Sequence, residues 1–545
     1  MRELIELAVR KREGVPVLPT NWLSLQVGSR LFQYAVLALG LLLLSACATN
    51  PVTGEDELTL VSEAQELAIG REQYAPSRQM QGGDYQLDPE LSRYVNQVGQ
   101  RLAAVSDRKL PYEFVVVNDS TPNAWALPGG KIAVNRGLLL ELESEAELAA
   151  VLGHEIVHAA ARHGAKGMER GILLQGAVIA AGMASSNSDY SRLAVGAAAL
   201  GANLLNQRYS REAELEADHY GMLYMARAGY DPQAAVKLQE TFVRLSKERK
   251  RNWLSGLFAS HPPSDERVRR NRETAGRLGA KGGDWGTERF RQKTAALRRT
   301  RPAYEALAEG LKALKEGDEQ RALDLADKAI RIEPKEALFY SLRGDVYFKQ
   351  KRYRDALEEY ARALKHNGDY FRFYLERGLT LEKLGRRKGA RRDLKKSAEL
   401  LPTAVAYNAL GRLALESGNK GQAKKYFSRA AGSRSPEGIA AAKELMRLDM
   451  PDNPNRYFRA RLELYNKGQV IAVVQNRSDL PVRNVRIGVG RRAGGGRLHD
   501  VRRERIWGLI RPGETARIRV DVEPLADKKQ LRRYGVIVLG AEIAE

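Results

Sequence analysis

The residues best suited to do chemistry are His154-Glu155-Ile156-Val157-His158. On a helix, at about 100° per residue, His154 and His158 stand one turn apart on one face, where two imidazole nitrogens can converge on one zinc ion. Glu155 beside them is placed to take a proton from the attacking water and return it to the leaving amine, the chemistry of peptide-bond hydrolysis. With 7 His in 545 residues, chance yields such a pentapeptide on the order of 0.01 times per chain. A further ligand must come from elsewhere. In the acidic stretch Tyr209 to Asp218, Glu214 and Asp218 share a helix face at i, i+4, but Glu212 and Glu216 compete with Glu214 on spacing alone. Asp218, one turn below Glu214, is placed to hydrogen-bond a ligand histidine and fix its tautomer. The metzincin pattern is excluded, because Ala161 and Gly164 stand where it needs glycine and histidine. His163, nine residues past His154, falls about 180° away on a continued helix and is expected to face away from the metal.

The elements that must position these groups are legible around them. Ser144 and Glu147 form a capping-box pattern, Leu148, Val151, Leu152, Ile156 and Val157 continue the helix, and Gly164 closes it. Pro128-Gly129-Gly130 is a turn between the β-prone runs Phe114–Val117 and Ile132–Val134, which predicts a hairpin whose edge could pair with an extended peptide. Gly171 to Ala184 and Leu193 to Leu205, 14 and 13 residues, are too short to span a bilayer. They read as close-packed helices around the active-site helix, and the polar break between them as a flap over the cleft.

Together, His-Glu-x-x-His and the Glu214-x-x-x-Asp218 that begins 56 residues later resemble the zinc metallopeptidases of the HtpX, Oma and CAAX prenyl protease group. Thr49-Asn50-Pro51-Val52-Thr53-Gly54, Asn123-Ala124, Pro128-Gly129-Gly130, Arg162-His163 and Ser260-His261-Pro262 carry the same resemblance, over roughly residues 49–275. It implies one zinc per chain on His154, His158 and Glu214, Glu155 as general base and then acid, and Asp218 behind a ligand. Asn123 and Ala124 would lie on the substrate-binding rim. His261 would reach the zinc or the developing oxyanion, and as a ligand in place of water it would latch the site; the alternative is a plain loop histidine before two prolines.

A length of 545 residues suits two to four domains. Residues 35–44 form an apolar run followed by Leu44-Ser45-Ala46-Cys47, which resembles a bacterial lipobox. This accounts for the single cysteine, whose count excludes any intramolecular disulfide, and predicts lipidation of Cys47 and a periplasmic location on the outer membrane of a two-membrane bacterium. Gly310, Gly344, Gly378 and Gly411 recur at 34, 34 and 33 residues, with Ala322, Ala356, Ala390 and Ala423 in step, the tetratricopeptide period. From 451 onward, alternating apolar runs predict a small β-sandwich. The expected fold is therefore multidomain: a signal peptide over 1–46, a mainly α, gluzincin-like zinc-metallopeptidase domain with a small β-hairpin or sheet over 47–285, and a basic linker over 286–300. An α-solenoid of tetratricopeptide (TPR) repeats follows over 301–447, then the β-sandwich over 451–545. Of the net charge of +22, the segment 301–545 holds +19, from 52 Lys+Arg and 33 Asp+Glu. In a periplasm that surface faces lipid or acidic proteins rather than nucleic acid. By resemblance to BepA-like periplasmic members, the expected role is quality control or assembly of outer-membrane and envelope proteins. Unfolded or misassembled clients, and assembly machinery in the repeat groove, are the expected partners. The alternative is a TPR chaperone or scaffold with a latched or vestigial metal site.

Overall fold

The computed structural model describes residues 47–171, 208–247, 259–279, 282–493 and 497–544. The expected signal segment and all but Gly171 of the two Gly/Ala-rich segments lie outside these residues. Among the described residues no helix is long and apolar enough to cross a membrane.

Strands β1 (Cys47–Thr49) and β2 (Asp56–Leu58) form a short antiparallel ribbon ahead of helices α1 (Glu63–Met80) and α2 (Pro89–Ala103). A three-stranded sheet follows, built from β3 (Glu113–Val117), β4 (Ala124–Leu127) and β5 (Lys131–Asn135) in the order β3-β5-β4. The expected hairpin is corrected here. Gly129 and Gly130, at φ of 77° and 80°, do make the turn, but it joins β4 to β5; β3 lies on the other side of β5 and runs parallel to it. After the one-turn α3 (Arg136–Leu139) comes α4 (Glu145–Ala160), capped by Ser144, whose side chain accepts from the Glu147 amide. The Glu147 carboxylate turns back to the Glu143 amide, one residue before the cap. Every residue of α4 is buried, as expected for a helix apolar on all sides and enclosed by its neighbours.

Helix α5 (Arg211–Arg227) crosses α4 backbone to backbone. A Cβ on Gly221 would lie 3.0 Å from the His154 amide nitrogen, and one on Gly153 would lie 3.0 Å from the Gly221 carbonyl oxygen. Only glycine allows this approach. Helices α6 (Gln233–Lys247) and α7 (Asp265–Leu278) complete the enclosure.

The expected linker is helical and packed. Helix α8 (Thr287–Lys293) buries Phe290, and its Arg289 pairs with the buried Glu145 at the start of α4. Helix α9 (Ala295–Glu316) then runs straight into the repeats, because Leu297, Thr300, Ala303 and Tyr304 give it a buried face at helical spacing. The array consists of α9 and α10 (Glu319–Ile332), α11 (Ala337–Lys349) and α12 (Tyr353–His366), α13 (Phe371–Lys383) and α14 (Arg387–Leu400), and α15 (Ala404–Glu416) and α16 (Lys420–Ala430). Helix α17 (Pro436–Asp449) closes it. The periodic glycines sit where the two helices of a repeat touch: a Cβ on Gly344 or Gly411 would strike Tyr360 or Phe427. The first repeat shares the core around α4, with Leu307 and Ala326 in the same apolar cluster as Leu148 and Ile156. Buried Arg136 lies 3.3 Å from the centroid of the Tyr304 ring.

The C-terminal domain is a sandwich of two three-stranded antiparallel sheets. One has the order β10-β7-β6, from β6 (Phe458–Leu464), β7 (Val470–Asn476) and β10 (Thr515–Arg519); the other has β11-β8-β9, from β8 (Val482–Arg492), β9 (Leu498–Ile506) and β11 (Tyr534–Ile543). Strand β9 has no apolar alternation to announce it. It is a charged edge strand, and basic residues are a common means of protecting an edge.

Two outcomes test this packing. Gly221→Val should force α4 and α5 apart, lowering stability by about 1–3 kcal/mol and reducing metal retention, read by denaturant unfolding and metal analysis. In the repeats, burial with Glu376 alongside outweighs Arg372 and Tyr360 and pushes the Asp345 carboxyl up to about 8. The folded state therefore holds a proton that the unfolded chain releases, so this contribution is present below the ordinary Asp range and is lost as pH rises through about 8. Melting curves of Asp345→Asn should fall less steeply with pH across that window than those of the wild type.

Candidate metal centre

Helix α4 presents His154 and His158, α5 presents Glu214 and Asp218, and the chain just before α7 brings in His261. One ligand atom from each of His154, His158, Glu214 and His261 lies within 4.8 Å of the others, and all four residues are buried. The Nε2 atoms of His154 and His158 are 3.0 Å apart, and His154 Nε2 is 3.2 Å from His261 Nδ1. Glu214 Oε1 lies 3.4 Å from His158 Nε2 and 2.9 Å from His261 Nδ1, while its Oε2 lies 3.5 Å from His154 Nε2. Of the competing carboxylates, Glu214 enters the site, Glu216 goes to His163, and Glu212 is exposed.

The surrounding groups fit a divalent cation. Asp218 Oδ1 is 2.9 Å from His154 Nδ1, so a proton on Nδ1 leaves the Nε2 lone pair aimed at the centre. Arg267 on α7 forks onto Asp218, with Nε and Nη2 each 2.7 Å from a carboxylate oxygen, and its Nη1 lies 2.9 Å from Glu214 Oε2. Buried Glu155 and Glu214, with the largely covered Asp218, thus bring three carboxyls against one buried guanidinium. A cation offsets the excess of negative charge over Arg267, and ligand nitrogens about 3 Å apart are compatible with metal–nitrogen bonds of about 2.0–2.1 Å.

Electrostatics separates the carboxyls. Burial raises the Glu155 carboxyl above its usual range, with His261 and His154 only partly offsetting it, and Glu155 Oε2 has no hydrogen-bond partner among the described residues. Burial also works against ionised Glu214, but His261 and His154 hold it well below the ordinary range. Ionised Asp218 is likewise penalised by burial, and Arg267 outweighs that penalty. One carboxyl is thereby poised to carry a proton while two stay charged.

His163 does not face away. Helix α4 ends at Ala160, and Arg162 takes a left-handed φ of 63°, which turns the chain back before the helical stretch 163–171. His163 Nδ1 lands 2.7 Å from His158 Nδ1, and its Nε2 lies 3.3 Å from Glu216 Oε1. This relay fixes His158 as Asp218 fixes His154. Gly164 therefore does not close α4. Arg162 anchors the reversal on the Val61 carbonyl, Glu66 and Thr59. Spacing missed His163 because it presumed an unbroken helix. Arg267 and Tyr209, whose ring stacks on His158 at 3.8 Å, were also unread as site residues; the Ser264 cap before an Arg-rich helix gives no hint of where Arg267 points.

Ala124 opens β4, an edge strand of the small sheet, and lines the same recess of about 50 Å³ as His154 and Glu155, with Val151, Met222, Leu238 and Phe242 making its wall apolar. Asn123 precedes it with a buried Oδ1 unbonded among the described residues. Cys47 starts β1, opposite Leu58 and distant in sequence from this site.

The fold and site are those of a metallopeptidase domain with helical repeats. Residues 89–275 match Peptidase family M48, and 307–358, 344–385 and 404–435 match tetratricopeptide repeat families, so the chain carries an M48 peptidase domain followed by TPR repeats. It is 35% identical over 195 residues to a putative beta-barrel assembly-enhancing protease of Vibrio cholerae, covering 34% of this chain and 40% of that protein. It is 30% identical over 245 residues to the beta-barrel assembly-enhancing protease of Escherichia coli K12, 42% of this chain and 48% of that one. To the mitochondrial metalloendopeptidase OMA1 of Schizosaccharomyces pombe it is 37% identical over 186 residues, 33% and 52% of the two chains. The matched region thus spans about half the length of these relatives or less.

His163→Phe should leave the chain folded but weaken metal retention about 10-fold or more, measured by competition with a chromogenic chelator. Glu216→Gln should act in the same direction.

Proposed function

We propose that the chain is a zinc-dependent endopeptidase of the bacterial envelope, held on the periplasmic side of the outer membrane by lipidated Cys47. It acts on unfolded or misassembled envelope proteins. The observation that carries the reading is the convergence of His154, His158 and Glu214 beside a Glu155 whose carboxyl burial has raised. The relatives named beta-barrel assembly-enhancing proteases support the client class, and the repeat groove is the surface for clients or for outer-membrane assembly machinery. Zinc on His154, His158 and Glu214, when bound, supplies the positive charge that polarises the scissile carbonyl and favours hydroxide at neutral pH.

This chain's own residues do the rest. Asp218 and the His163–Glu216 pair hold the two imidazoles in the tautomer that keeps Nε2 free. An extended substrate pairs along β4 past Asn123 and Ala124, so that backbone rather than side-chain identity provides much of the affinity. Glu155 takes a proton from the attacking water and delivers it to the amine nitrogen as the C–N bond breaks. His261, sitting within the donor set, must swing out before a carbonyl can enter. That occupancy favours a resting, latched site, and it is also the observation behind the second reading, a TPR scaffold whose metal site stays closed.

Metal analysis and casein cleavage by the purified full chain separate the readings. Glu155→Gln should keep zinc at one per chain and lower cleavage by about 10²-fold or more, and His261→Ala should raise cleavage. Zinc bound without cleavage in any form, together with intact function of Glu155→Gln in cells, would establish the scaffold instead.

A further inference from the structure

The C-terminal sandwich plays no part in the site described above, yet one of its edges is unusual. Residues 451–545 carry 20 Lys+Arg against 11 Asp+Glu. Strand β9 ends at buried Ile506, and the chain returns to the sheet at buried Ile510, which exchanges backbone hydrogen bonds of 2.8 and 3.1 Å with Val482. Between these two pins, Trp507-Gly508-Leu509 projects outward. Trp507 is 69% exposed and Leu509 48% exposed, and a Cβ on Gly508 would meet nothing within 4 Å. The knuckle is convex, apolar and fixed at both ends.

Arginines surround it. Arg505 lies 4.7 Å from the centroid of the Trp507 indole. Across the sheet Arg505 stands directly opposite Arg486, and Arg503 stands opposite Gly488 on the same face, where Val501 is also exposed. Like charges directly opposite one another destabilise a sheet, and neither Arg486, Arg503 nor Arg505 forms an ion pair with another described residue. An anion outside the chain would relieve this arrangement.

We propose that the Trp507–Leu509 knuckle, with Arg486, Arg503 and Arg505, docks the C-terminal domain on an anionic lipid bilayer, independently of any lipid on Cys47. Indole at the headgroup level, a leucine just beneath and cations against lipid phosphates are the side chains an interface selects. A projecting tip suits a deformable planar surface better than a peptide, which requires a groove or a pairing edge.

The test is partition of the full chain carrying Cys47→Ser onto phosphatidylcholine vesicles with and without phosphatidylglycerol. Arg503→Gln/Arg505→Gln should lower binding to the anionic vesicles about tenfold or more and leave the neutral ones unchanged. Trp507→Ser/Leu509→Ser should lower binding to both. Brominated lipids should quench wild-type fluorescence more than that of Trp507→Phe, a readout that does not depend on either double variant being sound. Equal quenching in the two, wild-type partition of both double variants, or tighter binding to polyglutamate or single-stranded DNA than to the anionic vesicles would overturn the proposal.

Discussion

Two imidazole nitrogens stand 3.0 Å apart in a buried site, each with its other ring nitrogen against a hydrogen-bond partner, an arrangement that a bound cation would stabilise. Much of the peptidase domain serves that constraint. Every residue of helix α4 is buried, so the charges within the site act at lower dielectric than in bulk water. Burying Glu155, Glu214 and Asp218 together is costly unless they are compensated. Arg267 offsets part of the charge, and a bound cation would offset the remainder. The glycine crossing of α4 and α5 is the mechanical counterpart: without contact at Gly153 and Gly221, Glu214 could not stand within reach of both histidines.

The same enclosure ties the repeats to the chemistry. Helices α8 and α9 are packed elements, and Arg289 ties the start of α4 to the segment that leads into the array. Arg136, immediately after β5, is stacked on Tyr304 of the first repeat, and Asn118, just after β3, donates to Glu336 at the start of α11. A second contact lies farther along, where Gln79 and Gln86 donate to Asp369 of the loop before α13. The repeats are thus seated against the segments that follow β3 and β5 of the sheet that carries β4. A flexible tether would have left the two units to act separately.

What local chemistry specifies was legible in the chain. The His-Glu-x-x-His spacing, the Ser144 cap, the 34-residue recurrence of glycine and alanine, and the alternation in the last hundred residues each arise from the period of a single element, and those elements formed. Glu214 was narrowed from three candidates only by resemblance, because Glu212, Glu214 and Glu216 are equivalent until α5 has a neighbour to face.

Tertiary structure decided the remainder, and for one reason: these features depend on where the chain turns and on which surface meets which. His163 became a partner of His158 because Arg162 reversed the chain. Strand β4 displaced β3 as the hairpin partner of β5 because strand adjacency is set by the whole sheet. Arg267 reached Asp218 from a helix with no metal-binding pattern. Residues 287–316 became core because the peptidase domain offered them a surface to cover. The sequence by itself determined the kind of centre and the kinds of domain, since residue identity and periodicity are written along the chain; the closing ligand contacts, the inner partners of the histidines and the seating of the repeats are long-range contacts, which exist only once the chain has folded.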